Sequence, residues 1–469
     1  MHNRTPFVFG LALLAATSAV MAASTKFSNF TPLSASAGPI LLNDPAEETP
    51  ILLSSDAFSQ RTLADRQTQN QVAVNSNSGS WDMVTSNETG PNAGRYLFMP
   101  FETGSAGVQR VDLLDPQYGT RTVTIVAPGE QGFVSGDASR WAPWGGYLTG
   151  EESWGAGSVK GRLFEVTNPV SAGLYGGEFV QRIVLPRVAH EGLAFDRQNN
   201  LYFVDELNGG AIYKYVSANP AATTGDEFFA QGQSFVLRVG SGGQFEGNNG
   251  PAITGAAQWV PVTNTVGGPI PGVSTVLPDG TIDGRVTADH ATIRSTGYNR
   301  PEDVEIQTLA DGTQLLYFNT TDSDTNAGST DGVGRTYNLN LATNVVRLFA
   351  DASTIDLATG LPVAGGFRNA DNLAIDAEGN MYIVEDRNGG VDDDIWFAVD
   401  LNKDGDLLDE GEGLARWASN GTLGSEFTGL YFDLRRPNQA YVNIQHPSSG
   451  VDRLIEISGA PKFAKSSKN

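Results

Sequence analysis

The chain contains no cysteine. Disulfides, thiolate metal sites and cysteine nucleophiles are thereby excluded. Histidine is almost as scarce, with 4 in 469 residues, so a bound metal would have to be held mainly by oxygen. Basic charge is also in short supply: 30 Lys plus Arg stand against 53 Asp plus Glu, a formal net charge of -23. That surplus repels nucleic-acid phosphates and anionic lipid surfaces, so no nucleic-acid partner is expected. It suits either a solvated acidic surface or a protein that holds divalent cations. Long apolar runs are missing except over residues 7–20, which follow Arg4 and lead into Met21 and Ala22. This reads as a cleaved, Sec-like signal peptide over residues 1–22, predicting a periplasmic or secreted protein with no membrane anchor.

What is abundant is turn chemistry, with 55 Gly and 23 Pro. Residues 23–75 read as a lead-in segment, residues 76–460 as one all-β domain, and residues 461–469 as a basic tail. Short β-branched and aromatic runs such as RYLFMPF, LYFVDE, QLLYFN and MYIVED alternate with Gly, Asn, Asp and Pro turns. Residues 240–290 are rich in Gly and Pro and read as a long insertion between strands. Four segments repeat one another: HEGLAFDRQNNLYFVDE from His190, RPEDVEIQTLADGTQLLYFNT from Arg300, NADNLAIDAEGNMYIVED from Asn369 and FTGLYFDLRRPNQAYVNIQH from Phe427. A weaker copy begins at Arg140. Hairpins recurring in this way predict a β-propeller, with six blades and long loop insertions, over a generic β-sandwich.

Within the stacked copies, Glu191, Glu302 and Asp371 share one position, with Thr428 as their counterpart. Equivalent positions of successive blades face one axis, so these carboxylates are expected to converge. Converging carboxylates must take up protons or share a cation, and oxygen donors suit a hard ion such as calcium. A second set of acids closes the hairpins: Glu151 and Glu152, Asp205 and Glu206, Glu385 and Asp386. Their place at strand ends allows for more than one cation. Arg300 precedes Pro301 and Glu302, so a guanidinium suited to an anion stands at the entrance of the proposed centre. His446, in NIQHP, is a candidate metal ligand, general acid or anion donor. Alternation turns His190 away from the axis, and nothing assigns a role to His290. Separately, DLNKDGDLLDEGE places Asp400, Asn402, Asp404 and Asp406 at the spacing of a calcium loop, with Gly405 at the sharp turn and Gly411 where the last ligand would stand.

The chain resembles the PhoX-type alkaline phosphatases, exported bacterial β-propeller enzymes that hydrolyse phosphate esters at a cluster of calcium and iron ions. The stretches that carry the resemblance are PWGGYLTGEES from Pro143, HEGLAFD with LYFVDELNGGAIYKYVS, NRPEDVEI, NADNLAID and FTGLYFDLRRPNQAYVNIQHP. The resemblance implies that Glu151, Glu191, Glu302 and Asp371 are metal ligands, that Arg300 contacts phosphate, and that small phosphorylated molecules are the substrates. The family usually places an iron-bridging cysteine before its Glu-Glu pair, where this chain has Gly150. It also usually exports through the twin-arginine route. Both departures make calcium, in more than one copy, the expected cofactor ahead of iron. A calcium-dependent lactonase or esterase propeller, using Asn372 beside Asp371, and a non-catalytic calcium-binding propeller are the alternatives.

Overall fold

A computed structural model describes residues 27–71, 79–247, 250–321, 334–387 and 393–459. The segments read as signal peptide and basic tail lie outside the described residues. Among the described residues the strands form six antiparallel, four-stranded blades, the architecture of a β-propeller. Blade 1 comprises Thr85–Ser86, Tyr96–Pro100, Val108–Asp112 and Thr122–Val126, and blade 2 comprises Gly136–Trp141, Tyr147–Glu151, Leu163–Val166 and Phe179–Gln181. The innermost strands of blades 3 to 6 are Leu193–Phe195, Pro301–Thr308, Ala370–Ile375 and Glu426–Phe432.

Each blade is buried on both faces, and this explains the near-continuous apolar runs. In Leu201–Val204 the side chains alternate: Leu201 and Phe203 pack toward blade 2, while Tyr202 and Val204 pack toward blade 4. Six apolar clusters result, one at each interface between neighbouring blades.

Part of the segment read as a lead-in belongs to the propeller. Phe58–Asp65 pairs antiparallel with Arg453–Gly459 as the outermost strand of blade 6, so the start of the described chain closes the ring begun at its end. Ile51–Leu53 extends blade 5 along Gly413–Asn420, and Phe27 is fully buried between blades 5 and 6. The Gly- and Pro-rich insertion also contains a strand, Gly255–Pro261, which joins blade 3 to blade 4 through Gly232–Val239 and Val345–Ala350. At the far end of the axis a cavity of about 360 Å³ is lined by Trp141, Phe195, Ile306, Ile375 and Phe432. These residues lie on the same innermost strands as the acids described next, at the opposite mouth.

Candidate metal centre

The innermost strands begin alike: Trp81-Asp82, Gly136-Asp137, His190-Glu191, Pro301-Glu302, Ala370-Asp371 and Phe427-Thr428. Five of the six blades therefore bring a carboxylate to the same place on the axis. Two local features aim them. In four blades the residue two before this position, Ser80, Ser135, Arg300 or Asn369, has a positive φ of 41 to 47°, a conformation that non-glycine residues adopt at a cost of about 1 kcal/mol. A β-bulge follows, between Gly136 and Ser139, Pro301 and Val304, and Ala370 and Leu373, so the acid lies in the bent part of the strand and is turned out of the regular pleat.

Carboxylate oxygens of Glu191, Glu302 and Asp371 lie within 4.8 Å of one another, as do those of Asp82, Asp137 and Glu191. Glu191 belongs to both groups. All five side chains are buried. Burial first, and the neighbouring carboxylates second, hold Asp82, Asp137, Glu191 and Asp371 well above the usual carboxylate range. Glu302 is pushed up to about 7 by burial, against the pull of Arg300 and a hydrogen bond from Thr321. Without a cation this assembly stays together only by keeping protons; with one, the charges are balanced directly.

A second tier comes from the hairpin ends. Glu152 touches both Glu102 and Glu206, Asp386 touches Glu426, and Gln445 donates to Glu102 at 2.7 Å and to Asp82 at 3.4 Å. Only the second member of each acid pair reaches this tier, because consecutive strand residues face opposite ways. Glu151 is turned toward the start of the neighbouring strand of its own blade, where Arg162 and the amides of Gly161 and Arg162 occupy its carboxylate. Asp205 accepts from the Ala189 amide at 2.9 Å, and Glu385 accepts from Arg368 N, Asp394 N and the Trp396 indole. Glu151 and Asp205, expected as metal ligands, are thus outside both carboxylate groups. Glu151→Gln is expected to lower the melting temperature by several degrees, because a half-satisfied Arg162 costs about 3 kcal/mol, while the specific activity of the folded protein is kept.

Arg300 is 11% exposed and binds Glu206 through Nε, at 3.1 Å, and through Nη2, which also lies 3.4 Å from Glu302. The Trp154 ring lies 4.9 Å from its Cζ. The His446 Nδ1 faces the Gly424 carbonyl at 3.1 Å, so it carries the proton there, and Nε2 meets Glu426 at 2.5 Å. The Asn372 side-chain oxygen accepts from the Gly429 amide. His190 is fully buried with neither ring nitrogen partnered, and burial drives it down to about 3.

In the calcium-like loop, Asp400 accepts from Asp404 N and Gly405 N, and Asn402 donates to Asp404 and Asp409. Asp406 accepts from Leu408 N, and buried Glu412 accepts from Leu401 N and Asp409 N. This loop is the hairpin turn between two strands of blade 5, apart from the axial acids.

The donor set fits hard divalent cations: carboxylate oxygens only, buried and grouped. It does not fit a thiolate-bridged iron pair. Position 150 has no sulfur, and a Cβ there would stand 2.4 Å from the His190 Cβ, so that space is already filled.

The sequence does not single out Asp82, Asp137, Glu102 or Glu426 as site residues. Asp137 has a detectable signal, since the weaker copy that begins at Arg140 has the repeat position three residues upstream, at Asp137. Asp82 lies in WDMVTS, which keeps too little of the repeat to align by eye.

Fold and site together define a β-propeller whose axis carries carboxylates grouped closely enough to hold metal ions. Residues 70–448 match the family model described as alkaline phosphatase PhoX, and the chain belongs to that family. Its fold is similar to that of Pseudomonas fluorescens PhoX in complex with vanadate, a transition state analogue, with 15% identity, 92% of this chain and 98% of that chain covered, and a TM-score of 0.61. Weaker likenesses include virginiamycin B lyase from Staphylococcus aureus, at 9% identity, 86% and 99% coverage and a TM-score of 0.42. An arabinofuranosidase of Fusarium graminearum in complex with arabinobiose gives 10%, 81% and 93%, and 0.39. No curated protein sequence matches the chain. Among the described residues no helix is long and apolar enough to cross a membrane.

Proposed function

We propose that the protein is an exported, calcium-dependent phosphomonoester hydrolase acting at the axial carboxylates. The observation that carries this reading is a buried oxygen-donor cluster with a guanidinium at its edge, the Arg300 Nη2 being 3.4 Å from Glu302, in a chain of the PhoX family. Glu191, Glu302, Asp371, Asp82 and Asp137 would hold the ions, with Glu152, Glu206 and Asp386 close by. Bound divalent ions supply positive charge that polarises the phosphoryl group.

The remaining work falls to this chain's own side chains. Glu206 fixes the fork of Arg300, and the guanidinium meets the charge that grows on the equatorial phosphoryl oxygens in the transition state. Thr321 orients Glu302 through its hydroxyl. The Glu426–His446 pair carries the proton proposed for the leaving oxygen, with the ring held by the Gly424 carbonyl.

Turnover of a chromogenic phosphomonoester, abolished by a chelator and restored by calcium, is the direct test. Arg300→Ala is expected to lower kcat/KM about a hundredfold or more, the scale of losing one preorganised charge partner of the transition state. A protein inert toward phosphomonoesters with every divalent metal would end this reading. A lactonase, which has no anion to clamp, would instead keep its activity in Arg300→Ala.

A further inference from the structure

Residues 152–161 run between two strands of blade 2 and carry Trp154. Its indole Nε1 donates to Glu152 and, at 3.0 Å, to Glu206. Its ring covers the Arg300 guanidinium. It is nonetheless 39% exposed, so the aromatic surface not facing Arg300 remains open at the mouth of the acid cluster.

The loop is firmly held. Arg285, from the short helix Gly284–Ala288 of the insertion, donates to the carbonyls of Ser153 at 2.9 Å and Ser158 at 2.6 Å. Its Nε pairs with Asp283 at 2.8 Å, both side chains fully buried, and Asp283 in turn accepts from the Gly157 amide at 2.6 Å. The long insertion therefore pins this loop over the centre. An ester whose phosphate reaches Arg300 would bring its leaving group close to an exposed indole.

Resting on the phosphoesterase reading, we infer that Trp154 is the platform for the leaving group, and that it selects phosphomonoesters of planar aromatic groups, aryl phosphates and nucleotides, over alkyl phosphates. A flat π-system gains a stacking contact on the indole that an alkyl chain does not.

The test is the ratio of kcat/KM for phenyl phosphate to that for glycerol phosphate, measured with excess calcium. Stacking of this kind predicts that the ratio falls about tenfold in Trp154→Ala and returns to within about threefold of the parent in Trp154→Phe, which keeps a ring and loses Nε1. An unchanged ratio in Trp154→Ala overturns the inference. So does an equal fall in Trp154→Phe, which would make the indole only an anchor for Glu152 and Glu206. If the parent turns over neither ester, the phosphoesterase reading fails, and calorimetric binding of phenyl phosphate decides the platform by itself. A tenfold weaker Kd in Trp154→Ala with recovery in Trp154→Phe supports it, and equal affinities overturn it.

Discussion

Glu191→Gln is expected to lower kcat/KM for a phosphomonoester by at least about a hundredfold and to reduce the metal content of the purified protein. Among the described residues Glu191 is the acid shared by both close carboxylate groups, so the substitution removes one charge from two prospective ion positions while nearly preserving shape. A merely structural acid at this place would behave in the opposite way. Neutralising one of several buried, mutually repelling carboxylates would then raise stability and leave turnover intact. Elemental analysis and kinetics on the same preparation separate the two. Parent-like turnover with parent-like metal content in Glu191→Gln would show that the axial acids hold no catalytic ion.

Calcium removal should have the largest effect on stability, and its size should depend on pH. In the metal-free chain Asp82, Asp137, Glu191 and Asp371 are held well above the ordinary carboxylate range, and Glu302 at about 7, chiefly by burial. A raised folded pKa means that the folded state binds more protons than the unfolded one. The stability this contributes is present below the unfolded value near 4 and is lost as pH rises through the folded values. Chelated protein should therefore become steadily less stable from about pH 4 to pH 7 and above. Calcium bound to the ionised acids reverses this trend. At a hundredfold excess over its dissociation constant each ion contributes about 3 kcal/mol. The gap in melting temperature between calcium-loaded and chelated protein should accordingly widen with pH and reach about 5 °C or more at pH 8. Asp404→Ala, in the blade 5 loop, is expected to lose part of this gap and keep activity. A gap that is absent or independent of pH would argue against ions at the axis.

The conservation of charge and place along the repeat made much of this legible. Short apolar runs between turns are the direct mark of thin, doubly buried blades, and the recurrence of HEGLAF, PEDVEI and ADNLAI puts three acids in one register. Where the repeat was degraded, the reading stopped: nothing in WDMVTS distinguishes Asp82 from a surface acid. The hairpin-end pairs show a different limit. The sequence offers two adjacent acids in GEE, VDE and VED, and only the direction of the strand at that point tells which one faces the axis.

By itself, the sequence determined that the chain is all-β and repetitive, that its donors are oxygens, and that no thiolate is available, because composition and period depend only on residue identity and order. The tertiary structure decided which acids meet. It turned Glu152 and Glu206 inward and Glu151 and Asp205 away, and it added Asp82 and Asp137 from blades with weak repeats. It also drew Phe58–Asp65 across the molecule to close blade 6 and used a distant insertion to set Trp154 over Arg300. Each of these depends on contacts between segments far apart in the chain, where the closing of a ring, bulges and positive φ values set the direction of a side chain that local pattern leaves open.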